Sequence, residues 1–243
     1  MLLIKLHDGP ARLGKYNELN TPGILEQFSE FDILKDEPMP YDVPKLLAEW
    51  SVNRTTEFAK KGSGKGIAVI HGSKYVDLRI KSAKELDGMG YTIMAIANSE
   101  KLLKNPRDLV EIIVNIRKII SPNVALYFPF ADASFIPLLV YMGVDLFGDA
   151  AADYYAYLNK LLTPSAIYDL DEYKIYDFSQ DELRNYNKNT LDFVMREIRE
   201  NIKNLTLRNL VEERCCTSPE AMSALRILDK KYSEFLDRYT PLY

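Results

Sequence analysis

The sequence predicts an α/β protein: a mostly parallel sheet forming a truncated or incomplete barrel of the TIM (β/α) type, followed by a C-terminal helical segment. Three observations carry this expectation. Short apolar segments alternate with amphipathic stretches of roughly 12–18 residues, the pattern of βαβ units. About five such strands can be counted, where a closed barrel needs about eight. From Phe178 onward the periodicity is purely helical. The expected division is residues 1–177 for the barrel and 178–243 for helices packed on it.

The elements follow in order. Leu2–Leu6 and Ala11–Tyr16 flank the turn signal Asp8-Gly9-Pro10 and read as a strand pair; Thr21-Pro22-Gly23 is a second break. Phe31–Lys35 is a short apolar strand. Val43–Lys61 has helical spacing, with Leu46, Leu47, Trp50, Arg54 and Phe58 over about one face. Gly66–Ile70, Tyr91–Ala97, Asn123–Phe128 and Val144–Phe147 read as strands. Lys74–Leu86, Pro106–Ile120 and Ser134–Met142 read as the helices between them. The C-terminal helices are expected over Asp181–Asn204, Thr206–Arg214 and a third from Ser218, as N-cap before Pro219, to about Arg238.

Composition narrows the function classes. Thirty-one basic against 35 acidic residues argue against a large sequence-independent nucleic-acid surface, while a local basic patch stays open. Cys215 and Cys216 are adjacent and are expected to be reduced thiols in a cytoplasmic protein. With only His7 and His71 besides, no four-ligand zinc set is expected, and no cofactor. No apolar run approaches a membrane span, and the N-terminus does not read as a signal peptide.

Gly143-Val-Asp-Leu-Phe-Gly-Asp149 lies at a strand end, where barrels keep their chemistry. It resembles the Gly-Val-Asp-Met-Phe-Asp signature of tRNA-guanine transglycosylases. Ala11-Arg-Leu-Gly-Lys15, Thr21-Pro-Gly-Ile24, Asp36-Glu-Pro-Met-Pro40 and Ser51-Val-Asn-Arg-Thr55 resemble further motifs of that superfamily, in the same order. So does Ile70-His-Gly-Ser-Lys-Tyr-Val-Asp-Leu-Arg79, followed by Ser82-Ala83. Leu210-Val-Glu-Glu-Arg-Cys215, Pro219 and Glu234-Phe-Leu-Asp-Arg-Tyr-Thr-Pro241 are similar to the end of the transglycosylase-like region of archaeosine synthase.

The departures matter as much. The resemblance implies that the last Asp of the signature is the nucleophile displacing guanine; here that position is Gly148, which has no side chain. Between Ile24 and Phe31 the chain is too short for the family's Asp-Ser-Gly-Gly-Phe-Gln segment. The Gln-Gly-Gly stretch has become His71-Gly72-Ser73, and the base-contacting Gly-Gly-Leu has become Ile96-Ala-Asn-Ser99. The family's cysteine cluster would fall near Tyr173–Phe178, which holds none. His71, Ser73, Asn98, Asp145, Gly148 and Asp149 are therefore candidates for a vestigial pocket, with no catalytic residue expected.

Each candidate has a plainer alternative. His71 reads as a base or substrate contact, or as a substituted pocket residue with no proton-transfer role. Asp145 or Asp149 would replace the nucleophile only by a one-residue shift, and neighbouring strand positions point in different directions. Gly62-Ser-Gly-Lys-Gly66 lacks the spacing of a phosphate loop and reads as a helix cap and connector. Tyr154, Tyr155 and Tyr157, near Lys160, would stack on exposed bases or pack at the barrel rim. Arg196, Arg199, Lys203 and Arg208 would meet tRNA phosphates or form a solvated helix face with Glu197 and Glu200.

The resemblance implies a non-catalytic transglycosylase-like subunit of a split archaeosine synthase. Such a complex adds lysine to 7-cyano-7-deazaguanine in the D-arm of archaeal tRNA, and a radical-SAM enzyme completes the conversion. The downstream Pro-Cys-x-x-Lys-Pro-Tyr motif and the PUA domain are expected on a separate catalytic partner chain. A homodimer is expected when that partner is absent, because a shortened barrel leaves apolar edges to cover. The alternatives are an active base-exchange enzyme with a relocated nucleophile and a module that binds protein only.

Overall fold

The computed structural model describes residues 1–26, 32–62 and 64–238. An antiparallel hairpin opens the chain: β1 (Leu2–Asp8) and β2 (Ala11–Tyr16), extended by β3 (Leu19–Thr21). β4 (Gly23–Leu25) follows, then α1 (Lys45–Lys61), β5 (Ile67–Ile70), α2 (Val76–Gly88), β6 (Ile93–Ile96) and α3 (Ser99–Leu102). Next come α4 (Pro106–Ile119), β7 (Ala125–Phe128), α5 (Ile136–Tyr141), β8 (Leu146–Gly148) and α6 (Ala150–Tyr157). The small hairpin β9 (Lys160–Leu162) and β10 (Ile167–Asp169) leads to α7 (Leu170–Tyr173), α8 (Gln180–Lys203), α9 (Leu207–Cys215), α10 (Pro219–Lys231) and α11 (Ser233–Arg238).

The central sheet has the order β4-β8-β7-β6-β5, all parallel. Five parallel strands flanked by helices make this a truncated barrel of the TIM type. Every residue of β5, β6 and β7 is buried, as a parallel sheet covered on both faces requires. Side chains alternate between two cores. Ala68, Ile70, Met94, Ile96, Leu126, Phe128 and Phe147 pack outward into the layer that includes α4. Ile67, Val69, Ile93, Ala95, Tyr127 and Leu146 face the other way, where Leu2 and Tyr16 of the hairpin close the cluster. The Leu2 N–H donates to the Asn123 carbonyl at 3.0 Å, fixing the hairpin to the N-terminal end of β7.

Helix ends follow local chemistry. Ser179 caps α8 in a full capping box with Glu182, and Ser218 caps α10 ahead of Pro219. α8 lies along β1, β2 and β4, covering the sheet edge that β4 would otherwise expose.

Several sequence expectations are corrected. β4 begins at Gly23, where the sequence suggested only a break. The expected strand over 31–35 reduces, among described residues, to an isolated bridge between Ile33 and Ile67; Phe31 itself lies outside the described residues. α1 buries Ala48, Ser51, Val52, Thr55, Thr56 and Ala59, so its inner face is not the one that carries Leu46 and Trp50. Leu46 and Trp50 are 79% and 50% exposed. The cause is Ser51 and Thr55, one turn apart, which bind both ends of Glu37: Ser51 Oγ donates to its carbonyl and Thr55 Oγ1 accepts its N–H. The last expected helix breaks at Tyr232 into α10 and α11. Gly62 caps α1, and Gly64 and Gly66 take φ of +72° and +87°, so this stretch is a connector; Ser63 lies outside the described residues, as do Tyr239, Thr240 and Pro241 of the C-terminal motif.

Candidate functional site

The loops after β5 and β6 meet the segment before α1 at the C-terminal end of the sheet. Gly72 turns the chain after β5 with φ of +141°, and a Cβ there would strike the Arg79 backbone nitrogen at 2.7 Å. This lets Arg79, fully buried on α2, reach back beneath the loops. Its Nη1 donates to the Ile70 carbonyl (2.8 Å), its Nε to the Ser73 carbonyl (3.0 Å), and its Nη2 to Asn98 Oδ1 (3.1 Å). Burial lowers its pKa to about 10. Asn98, with φ of +57°, passes the network on by donating from Nδ2 to the Met39 carbonyl at 3.0 Å.

The same loop is pinned twice more. His71 Nε2 lies 2.8 Å from Asp36 Oδ2, and Ser73 Oγ donates to the Pro40 carbonyl at 3.0 Å. Tyr41 donates to Asp108 through its hydroxyl. His71, Ser73 and Asn98 are thus brought together, with Arg79 as the hub that sequence reading did not single out. Its signal was present: an Arg three residues after Val76 on a helix face that turns inward.

The end of β8 is built differently. A Cβ on Gly148 would fall far inside contact with the Pro129 carbonyl oxygen and 2.9 Å from the Tyr127 hydroxyl. The space beside residue 148 is therefore already filled by backbone. Burial, followed by the Asp149 charge, pushes the Tyr127 hydroxyl up to about 12. Asp149 is 3.2 Å from Lys188 Nζ of α8. Both line a cavity of about 350 Å³ with Ile24, Asp192 and Arg199. Asp145 sits at the opposite, N-terminal end of β8, 99% buried, with Arg12 Nε and Nη2 donating to its two oxygens at 3.0 and 2.5 Å. The strand itself separates it from Gly148 and Asp149.

Tyr154 and Tyr155 stand edge-on at 5.3 Å between ring centres, with Phe130 beside them. They line a groove of about 830 Å³ together with Lys101, Lys104 and Asp132. Tyr155 donates to Asp132 at 2.6 Å, and burial raises the Asp132 pKa. Lys160 is held by Asp169 at 3.5 Å in the β9–β10 hairpin and does not line the groove. Arg196, Arg199 and Lys203 line a cavity of about 540 Å³ together with Lys5 and Glu200, and Glu200 pairs with Lys203 at 2.5 Å. Arg199 Nη1 donates to the Pro22 carbonyl at 2.8 Å, while Glu197 turns away to Arg214 and Arg208 pairs with Asp229.

Among the described residues, no group of three or more His, Cys, Asp or Glu is arranged to hold a metal ion. Cys215 is buried and its thiol is pushed up to about 12 by burial; Cys216 is exposed. Among the described residues, no helix is long and apolar enough to cross a membrane.

A truncated parallel barrel with its polar loop cluster at the carboxyl ends of the strands is an α/β fold of the TIM type. The chain belongs to the queuine tRNA-ribosyltransferase family, whose model matches residues 29–182. It is 28% identical to the tRNA-guanine(15) transglycosylase of Methanocaldococcus jannaschii, over 99% of this chain and 43% of that protein. It is 32% identical to the archaeosine synthase of the same organism, over 74% of this chain and 34% of that protein. The tRNA-guanine(15) transglycosylase of Pyrococcus furiosus is 30% identical over 99% of the chain and 46% of its own length. The chain thus spans less than half the length of these relatives. The first alignment runs over 281 positions although the chain has 243 residues, so that relative carries residues this chain lacks.

Proposed function

We propose that this chain is a catalytically silent, transglycosylase-like subunit of a tRNA-modifying assembly related to archaeosine synthase. The observation that carries the proposal is at Gly148. The position that the family resemblance assigns to the nucleophile has no side chain, and the Pro129 carbonyl and Tyr127 hydroxyl take up the room one would need. Covalent base exchange requires a positioned nucleophile, and tRNA binding alone does not replace it. His71, Ser73 and Asn98 then act as loop fasteners in a vestigial pocket, their polar atoms directed at Asp36, Pro40, Met39 and Arg79.

In this reading the catalytic partner is a separate chain bearing the PUA domain, and the assembly adds lysine to 7-cyano-7-deazaguanine in tRNA before a radical-SAM enzyme acts. The subunit supplies scaffold and part of the tRNA contact. Lys5, Arg196 and Arg199 on one cavity, beside Lys203 in its ion pair with Glu200, support a phosphate contact there, and Tyr154 beside Phe130 supports a stacking surface. The test assays the catalytic chain on 7-cyano-7-deazaguanine-containing tRNA with and without this protein. A higher rate or affinity in its presence is expected. Equal rates and affinities, with no co-purification, would sink the subunit reading.

A second reading is a relocated nucleophile at Asp149, favoured by its position at the carboxyl end of β8 facing a cavity. Its ion pair with Lys188 supports a fixed structural carboxylate instead. Incorporation of labelled guanine by the pure chain, lost in Asp149→Ala, would favour this reading over the first.

A further inference from the structure

The groove of about 830 Å³ is formed by the segments that follow β6 and β7, with α6 beside them. Gly148 and Asp149 are not among the residues that line it. Phe130 and Tyr154 meet there at 77°, and Tyr154 and Tyr155 at 69°. Rings set nearly at right angles form a corner, in which a flat guest lies on one face and meets the edge of the other. Tyr154 is 50% exposed, so part of its ring is open to a guest.

Several polar groups of the groove are unpaired. Tyr155 donates to Asp132 Oδ1, and Asp132 Oδ2 takes no hydrogen bond among the described residues. The Ser134 hydroxyl and the ammoniums of Lys101 and Lys104 likewise have no partner among the described residues. Burial raises the Asp132 pKa, and the Lys104 charge is near enough to pull against that rise. Glu100 and Glu220 line the groove as well, Glu220 accepting from Ser218 Oγ at 3.1 Å. With Asp132 they offset both lysines, so net charge does not select the guest. Selection falls to ring stacking and to hydrogen bonds.

We propose that this groove binds a single unstacked nucleoside whose base carries an exocyclic amino group. Tyr154 and Phe130 supply the stacking corner, and every base has a face for it. Asp132 Oδ2 is the acceptor for the amino group. Adenine, cytosine and guanine each carry one, whereas uracil presents only carbonyls and one ring N–H. Ser134 is available to a second atom of the base edge, and Lys101 and Lys104 to a flanking phosphate. Cavities for whole ligands run from about 300 to 1,000 Å³, so the groove has room for a nucleoside with its phosphate. The guest is either a free nucleotide or one splayed out of a single-stranded RNA segment. The second source deepens the tRNA contact proposed above and rests on it; the first does not.

The test titrates the full chain, without any partner, with the 5′-monophosphates of adenosine, cytidine, guanosine and uridine and with single-stranded oligoadenylate, read by calorimetry at constant ionic strength. Saturable binding is expected, with uridine monophosphate weaker than the others by about fivefold or more. Tyr154→Ala should weaken every guest about fivefold or more, as loss of a stacking ring does, and Tyr154→Phe should restore it. Asp132→Asn keeps an acceptor for Tyr155 and sets an amide donor in place of Oδ2, so the preference against uridine should vanish. Tighter binding of oligoadenylate than of adenosine monophosphate identifies an RNA strand as the source, and equal or weaker binding identifies the free nucleotide. No saturable binding, equal affinity for all the monophosphates, wild-type affinity in Tyr154→Ala, or an unchanged preference in Asp132→Asn overturns the proposal. No catalytic chain is present in the titration, so its failure is distinct from a failure of this protein to raise another chain's rate.

Discussion

Arg12 and Asp145, 133 positions apart in sequence, form a buried ion pair of 2.5 Å across the N-terminal end of the barrel. The pair anchors the opening hairpin to the strand that carries the family signature. It also fixes what the Asp of that signature does here: its oxygens are taken up by Arg12 and by the Leu126 N–H.

Asp145→Asn should therefore act on folding. It removes the charge that two buried guanidiniums, those of Arg12 and Arg117, share, and breaking such a pair from one side costs about 3–5 kcal/mol. Urea unfolding should report a loss of this size; a loss below about 1 kcal/mol would contradict the network.

Gly148→Asp should not create an enzyme. The new Cβ meets a backbone carbonyl that has no rotamer to move away, so strain of about 1–3 kcal/mol or more is expected. A lower Tm with no incorporation of labelled guanine is the expected pair of results. A stable, active variant would mean that the space beside residue 148 can open.

Arg79→Lys should be far from conservative. One ammonium cannot satisfy the Ile70 carbonyl, the Ser73 carbonyl and Asn98 Oδ1 together. One or two buried acceptors left unpaired cost roughly 1–3 kcal/mol each. Equilibrium unfolding measures the loss, and faster amide exchange at Ser73 and Asn98 should locate it.

Asp132 gives a pH signature. Burial raises its pKa in the folded state, so the unfolded chain releases this proton first as pH rises. Below the ordinary value of about 3.9 the group contributes nothing; stability then declines until pH passes the folded pKa and stays lower above it. Asp132→Asn keeps an acceptor for Tyr155 and removes this cost. The variant should be at least as stable as the parent at pH 7, with the difference vanishing near pH 3.

Glu substitutions at Arg196 and Lys203 test the RNA interface. Each cation that meets a phosphate should, once replaced, lower the slope of log affinity against log salt by about 1. An unchanged slope for tRNA binding by the assembled complex would remove this cavity from the interface.

The sequence made the central sheet legible because β5, β6 and β7 are unbroken apolar runs between helices of clear period. The hairpin and the Ser218 cap were readable for equally local reasons. β4 and β9 escaped because three residues carry no periodicity. α6 escaped because its alanine and tyrosine residues offer no polar face to set a phase. Helical spacing alone did not say which face of α1 turns inward; Ser51 and Thr55 are buried to hold Glu37, and Leu46 and Trp50 are left exposed. At the site, the missing side chain at 148 was visible in the sequence, but the carbonyl and hydroxyl that fill its place come from the preceding strand and loop.

The outward turn of α1 has an optical consequence. Trp50 is the sole tryptophan and is half in water in the native state. Its emission should already lie toward the red and should move little when the chain unfolds, so intrinsic fluorescence would underreport denaturation. The 16 tyrosines, several of them locked in the cores, would carry that signal in near-ultraviolet dichroism instead. The indole is left as a label for whatever comes to lie against that helix, since any dry contact there should shift its emission to the blue.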